Sequence, residues 1–286
     1  MSISTDLKKK IILISGLVSH HYNMDKFMES LGKFTGEKIV APILERRRKK
    51  IEQFNLEISG QENLQELKER QFLLVANHLM PVDATDQQSQ LSPDAFVLER
   101  IVHDLNNQEL KIVSKADDGW WAENLYKYFQ KHIGQPFGKG LSKGLGFIPV
   151  FKNPGSFNRD FVKVVDNTIQ EGKNPILFFP EGHWYEDFDP EHQLESGVAS
   201  IARKYGLVIL PVYIKGARSW QPNTEVQISF GQSFVPGQLS KEEITEQIRL
   251  RLRNLQEDLA KNIKNSSNGM HTPSSTIDTY SKLIKR

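Results

Sequence analysis

The segment Asn77-His78-Leu79-Met80-Pro81-Val82-Asp83 follows directly on the apolar run Phe72-Leu73-Leu74-Val75-Ala76. A histidine at the carboxyl end of a buried strand stands where open α/β sheets admit ligands. If a helix opens at Pro81, a residue suited to the first helical turn, the chain folds Asp83 back beneath the ring. The carboxylate then holds one ring nitrogen, and the other becomes a general base able to take a hydroxyl proton. The same spacing also suits a histidine that only caps a strand-end loop. A second segment, Phe178-Phe179-Pro180-Glu181-Gly182-His183, leaves another apolar run at Ile176-Leu177. Glu181 can accept hydrogen bonds from a polar substrate, and Gly182 permits a tight turn; a plain strand-end turn reads the same way. In a third, Gly146-Phe147-Ile148-Pro149-Val150-Phe151-Lys152, apolar residues lead to a cation, with Lys139 and Lys143 before it and Arg159 after. A lysine at a strand mouth binds phosphate as a point charge, or is a surface lysine. The fourth, Val208-Ile209-Leu210-Pro211-Val212, is an apolar strand with a proline, which suits a strand end or edge.

The elements around these residues set the fold class. Short apolar runs at 56–58, 72–76, 110–113, 147–151, 176–179, 208–212 and 226–230 alternate with helical stretches, notably 158–171 and 195–205. That alternation predicts an α/β domain: a mostly parallel or mixed central sheet flanked by helices. Residues 240–263 read as an amphipathic helix opened by a capping box at Ser240 and Glu243. Toward the N-terminus, Leu7, Ile11, Ile14, Val18 and Tyr22 make an apolar stripe over 7–31, and 36–54 reads as a second helix. A turn around Gly32 and Gly36 would join them into a helical hairpin. The expected organisation is therefore a hairpin over 1–54, an α/β domain that includes the C-terminal helix over 55–264 and a loose polar tail over 265–286.

Composition removes several classes. The 286 residues include no cysteine, which excludes a disulfide framework, a thiolate zinc site, an iron–sulfur cluster and a cysteine nucleophile. With 37 Lys+Arg against 35 Asp+Glu the charge is balanced, which argues against a nucleic-acid binder. The stretch Ile11–Val18 is far shorter than the ~20 residues of a membrane span, and no cleavage signal follows it. These features predict a cytoplasmic protein without a transmembrane helix. The basic run Arg46-Arg47-Arg48-Lys49-Lys50 suits either a solvated helix face or anionic headgroups.

Taken together, NHLMPVD, GFIPVFK, FPEG and VILPV stand in the order of the four blocks of the glycerolipid acyltransferase family. The chain resembles its 1-acylglycerol-3-phosphate acyltransferase type from about Asn55 to Val235. The first block is that family's HX4D motif, and LEISGQENL resembles the strand and turn leading into it. The resemblance implies an O-acyltransferase of phospholipid biosynthesis. In it His78 is the base that deprotonates the acceptor, oriented by Asp83. Asn77, Glu181 and Gly182 line the acceptor pocket, Lys152 stands where the family has a phosphate-binding arginine, and Pro211 lies beside the acyl-binding region. The donor would be an acyl-CoA or acyl carrier protein thioester, the acceptor a lysolipid at a membrane surface. No metal and no cofactor beyond the thioester co-substrate is implied. Soluble glycerol 3-phosphate is an alternative acceptor, and a non-catalytic lipid-binding protein is a third reading. Two positions depart from the family pattern. Lysine replaces arginine at 152, and His183-Trp184-Tyr185 follows FPEG where Thr-Arg-Ser is common.

Overall fold

The computed structural model of the chain describes residues 24–82, 92–115, 135–150 and 157–267. It divides into two compact units, Met1–Leu44 with Ser114–Val165, and Glu45–Val113 with Asp166–Arg286. In chain order the strands are β1 (Asn55–Ser59), β2 (Phe72–Ala76), β3 (Lys111–Lys115), β4 (Ile148–Val150), β5 (Ile176–Phe178), β6 (Val208–Lys215) and β7 (Glu225–Phe230). The helices are α1 (Met24–Thr35), α2 (Ala41–Lys50), α3 (Gln61–Gln65), α4 (Pro93–Asn106), α5 (Gln135–Gly144), α6 (Phe157–Glu171), α7 (Gly197–Tyr205) and α8 (Lys241–Ser267).

The second unit is built on strands in the order β1-β7-β6-β2-β5-β3. Every pairing is parallel except β6 with β7, so the sheet is mixed, as the sequence implied. β2 lies in its interior with all five residues buried, which is why FLLVA shows no alternation. The capping box expected at the start of α8 is present. The Ser240 N–H donates to Glu243 Oε2 at 2.7 Å and the Glu243 N–H to Ser240 Oγ at 3.2 Å. Ile244, Ile248, Leu252 and Leu259 bury one face of that helix, which packs on α7 and β6.

Pro211 is not at an edge. It lies within β6, opposite Val75 of β2. Its carbonyl accepts from the Gly231 N–H at 2.9 Å, and Ile209 bonds to Phe234 on the same side of the strand. The missing proline N–H therefore faces residues 231–233, where the β6–β7 ladder is interrupted, so no partner is left unsatisfied.

In the first unit no turn separates the N-terminal helices at Gly32 and Gly36. α1 runs through Gly32 into a π turn, Gly36–Val40, and on into α2. The glycines serve contact instead of reversal. A Cβ built at Gly32 would strike the Phe137 carbonyl of α5, and one at Gly36 would lie 2.7 Å from the Leu141 carbonyl. In return, Gly140 and Gly144 of α5 face the carbonyls of Glu29 and Lys33. Two helices thus meet backbone to backbone, an approach only small residues permit.

The opposite face of this helical run is apolar and exposed: Phe27, Leu31, Phe34, Ile39 and Ile43. The first three fall on one line at helical spacing. Ile39 comes one residue too late for an α-helix, and the π turn absorbs that residue and returns Ile39 and Ile43 to the line. Residues 7–22, where the first stripe was expected, and the tail from 268 lie outside the described residues.

Candidate active site

Parallel strands bring their carboxyl ends to one edge of a sheet. β2 and β5 are such neighbours, paired Leu73–Ile176 through Val75–Phe178. The segments that leave them, Asn77-His78 and Phe179-Pro180-Glu181-Gly182, therefore emerge side by side. The Tyr185 N–H donates to the His78 carbonyl at 3.0 Å and the Met80 N–H to the Tyr185 carbonyl at 2.7 Å. Two motifs far apart in the chain become one short stretch of parallel pairing, with a bridge between Leu79 and Tyr185.

Asn77 is wholly buried and its amide is fully engaged by β6. Nδ2 donates to the Ile214 carbonyl at 2.9 Å, and Oδ1 accepts from the Ile214 N–H at 2.8 Å. It ties the loop to the sheet and fixes the backbone from which His78 projects.

The ring of His78 is held on three sides. Nδ1 lies 2.8 Å from Asp94 Oδ2, one ring face stacks on Phe179 at 4.0 Å between centroids, and the Trp184 indole N–H points at Nε2. An indole N–H only donates, so Nε2 accepts and the ring proton sits on Nδ1, directed at Asp94. The aspartate that orients the histidine in the structure is thus Asp94; Asp83 lies outside the described residues. Asp94 opens α4, after Ser92 and Pro93 at the helix start, where a carboxylate is favoured by the helix dipole. Its carboxyl is fully buried and also accepts the Leu79 N–H at 2.8 Å and the Ala95 N–H at 2.7 Å. A proline-opened helix brings an aspartate to the histidine at Pro93-Asp94. The signal available in the sequence was Ser92-Pro93-Asp94 ahead of an apolar-periodic stretch.

Glu181 lies behind the same loop. Its Oε2 accepts the His78 backbone N–H at 2.5 Å, while Oε1 is buried without a partner among the described residues. Burial pushes its carboxyl up to about 8, helped by repulsion from Asp94, Asp187 and Asp189 and opposed by the His78 N–H. Gly182 follows in the left-handed region, at φ 67°, where the chain turns back toward the histidine. Arg218, unremarked in the sequence, joins the rim: its Nε donates to the Met80 carbonyl at 2.8 Å, and its own carbonyl accepts the Val82 N–H at 2.8 Å.

The acidic loop after FPEG is tied down. Tyr213 donates to Asp187 at 2.6 Å, Arg249 to the Pro190 carbonyl at 3.0 Å and Gln256 to the Phe188 carbonyl at 2.9 Å. Burial raises the Tyr213 phenol beyond its ordinary range, with the Asp187 interaction acting the same way. Lys152 lies outside the described residues. Pro211 sits inside the sheet, as described above.

What this edge of the sheet offers is a ring nitrogen able to take a proton, backed by a buried carboxyl, beside a second buried carboxyl group. Residues 55–215, more than half of the chain, match the family model described as Acyltransferase. The chain belongs to that family, and its activity is the transfer of an acyl group. No curated protein is significantly similar to it. Among solved structures, the 1-acyl-sn-glycerophosphate (LPA) acyltransferase PlsC from Thermotoga maritima is 18% identical over 82% of this chain and 96% of its own, with a TM-score of 0.44. Among the described residues no helix is long and apolar enough to cross a membrane.

Proposed function

We propose that the protein moves a fatty acyl group from a thioester donor, acyl-CoA or acyl carrier protein, to the free hydroxyl of a lysophospholipid such as 1-acylglycerol 3-phosphate. The observation that carries this reading is the pairing of His78 Nδ1 with the buried Asp94 carboxyl at the mouth of the parallel strands. Nδ1–H stays on Asp94, and Nε2 takes the acceptor's hydroxyl proton as the oxygen attacks the thioester carbonyl carbon. The carbon–sulfur bond breaks, and the departing thiolate takes the proton back from Nε2. Asp94 favours the imidazolium formed in between. No covalent enzyme intermediate is needed, which agrees with the lack of cysteine. Glu181 and Gly182 shape the pocket beside the base, and Lys152 meets the phosphate.

The test is consumption of acyl-CoA with a panel of acceptors, comparing wild type with His78→Ala. General-base catalysis contributes about 10²–10⁴-fold, and a loss in that range is expected with the fold intact. Wild-type turnover in folded His78→Ala would remove His78 as the base. Transfer to glycerol 3-phosphate with none to 1-acylglycerol 3-phosphate would replace the acceptor.

The exposed line of Phe27, Leu31, Phe34, Ile39 and Ile43, with Lys26, Lys33 and Lys38 exposed among them, supports contact with an anionic membrane surface. The basic run contributes less than its sequence implies. Arg48 is held bidentately by Glu99 at 2.9 Å and 2.9 Å, and Arg47 lies 5.6 Å from the Trp220 ring. Arg46, Lys49 and Lys50 stay exposed. Sedimentation with anionic liposomes should weaken as salt rises, and binding that ignores anionic lipid would end the reading.

A further inference from the structure

We infer that Trp184 is a displaceable plug on the base, which keeps His78 from activating water until an acceptor enters; the inference rests on the reading of His78 as the general base. An imidazole nitrogen has one in-plane lone pair. In the structure the Nε2 lone pair is taken by the Trp184 indole N–H, and the two rings meet edge to face at 71° with centroids 5.7 Å apart. While this contact lasts, no hydroxyl can give Nε2 its proton.

One partner must move, and the surroundings decide which. The His78 ring is clamped. Asp94 holds Nδ1 and is itself fixed by the N–H groups of Leu79 and Ala95, and Phe179 covers a ring face. Trp184 is half-buried, next to exposed His183, and follows the left-handed turn at Gly182. The backbone of Tyr185 is pinned to His78 and Met80, so the main chain of Trp184 stays near the ring while its indole can rotate outward.

The arrangement discriminates between two hydroxyl donors. With Nε2 bare, water could give a proton to it as the water oxygen bonds to the thioester carbonyl carbon. The carbon–sulfur bond would break and the thiolate would be reprotonated from Nε2. The products are a fatty acid and a free thiol, and the donor is wasted. A water molecule brings no binding energy beyond its own hydrogen bonds with which to displace an indole. An acceptor with a chain and a headgroup does. Trp184 is accordingly a positioning residue that sets specificity for the acceptor over water.

Trp184→Phe keeps a ring and removes the N–H. The probe of the plug is diethyl pyrocarbonate, which carbethoxylates an imidazole nitrogen whose lone pair is free. Loss of one hydrogen bond of about 0.5–1.5 kcal/mol corresponds to a rise of roughly two- to tenfold in modification of His78. Exposed His103 serves as the internal reference. The probe of its purpose is hydrolysis of a C16 acyl-CoA without acceptor, expected to rise several-fold relative to transfer to 1-acylglycerol 3-phosphate. Trp184→Leu repeats both measurements should Trp184→Phe not fold. Unchanged modification of His78 overturns the plug alone, whatever hydrolysis does. Faster modification with unchanged hydrolysis overturns the guard and leaves His78 as the base to the His78→Ala measurement. Faster hydrolysis that persists in a His78→Ala, Trp184→Phe double variant overturns the guard as well.

Discussion

The edge of the sheet in the second unit and the helix pair of the first are both close-fitting, but by opposite means. Around His78 the fit comes from side chains: Asn77, Asp94, Phe179, Glu181 and Trp184 each meet the loop through a specific atom or ring face. Between α1 and α5 it comes from their absence, with four glycines letting backbone carbonyls approach. The first kind of fit fails when a chemical group changes without any change of size. The second fails when size changes without any change of chemistry.

Asp94→Asn should show the first failure at its largest. Oδ2 of Asp94 accepts from both His78 and Leu79 while Oδ1 accepts from Ala95, so all three partners are donors. Asparagine has one acceptor and one donor end. Whichever way it lies, an N–H faces an NH2; with the NH2 toward His78 the ring proton is driven from Nδ1 to Nε2, and in both orientations the charge that favours the imidazolium is lost. Acyl transfer should fall by about 10²–10⁴-fold in protein that still folds, with melting lowered by the loss of about 1–3 kcal/mol that a buried, unpaired N–H costs. Near-normal kcat would show that shape alone suffices at this edge.

Gly140→Val is the converse. It adds only hydrocarbon, yet the new Cβ meets the Glu29 carbonyl. The first unit should lose roughly 1–3 kcal/mol, seen as faster amide exchange in 24–44 and 135–150. Exchange at the wild-type rate in those segments would mean that the helices can part without cost.

Glu181→Gln sharpens the comparison by asking what the polar fit costs. A carboxyl raised from 4.5 to about 8 binds its proton more tightly in the folded chain than in the unfolded one. Stability is unaffected below about pH 4.5, declines as pH rises from there, and levels off above about pH 8. The glutamine variant lacks that titration. Its melting temperature should match wild type near pH 4.5 and exceed it by a few degrees near pH 8. Parallel pH curves would show that Glu181 does not titrate in this window.

Much of the sheet was legible because buried parallel strands are short apolar runs with nothing else to be, as FLLVA and VILPV show. The two strand-end motifs were legible for the same reason, since each follows directly on such a run. Asp94 went unread because Asp83 lies nearer in sequence. Proximity along the chain says little where a helix begins after an intervening segment, and α4 itself went unread. Gly32 and Gly36 were read as a turn because glycine breaks isolated helices; a facing helix with its own glycines reverses that expectation, and a linear pattern does not display it. Trp184 stood out as a departure from the pattern, but which atom its N–H would find depends on the Leu79–Tyr185 bridge, a contact between distant segments.

The π turn at Gly36–Val40 has a consequence for change by insertion and deletion. It carries one residue more than α geometry would use, and each residue advances a helix by about 100°. Removing one residue ahead of Ile39 there would leave an unbroken α-helix with Ile39 and Ile43 still on the line, whereas winding all of its residues as α-helix would swing them round by about 100°. The segment works as a phase corrector: its wider turn, more than the identity of its residues, lets five apolar side chains act together where the same residues wound as α-helix would point apart.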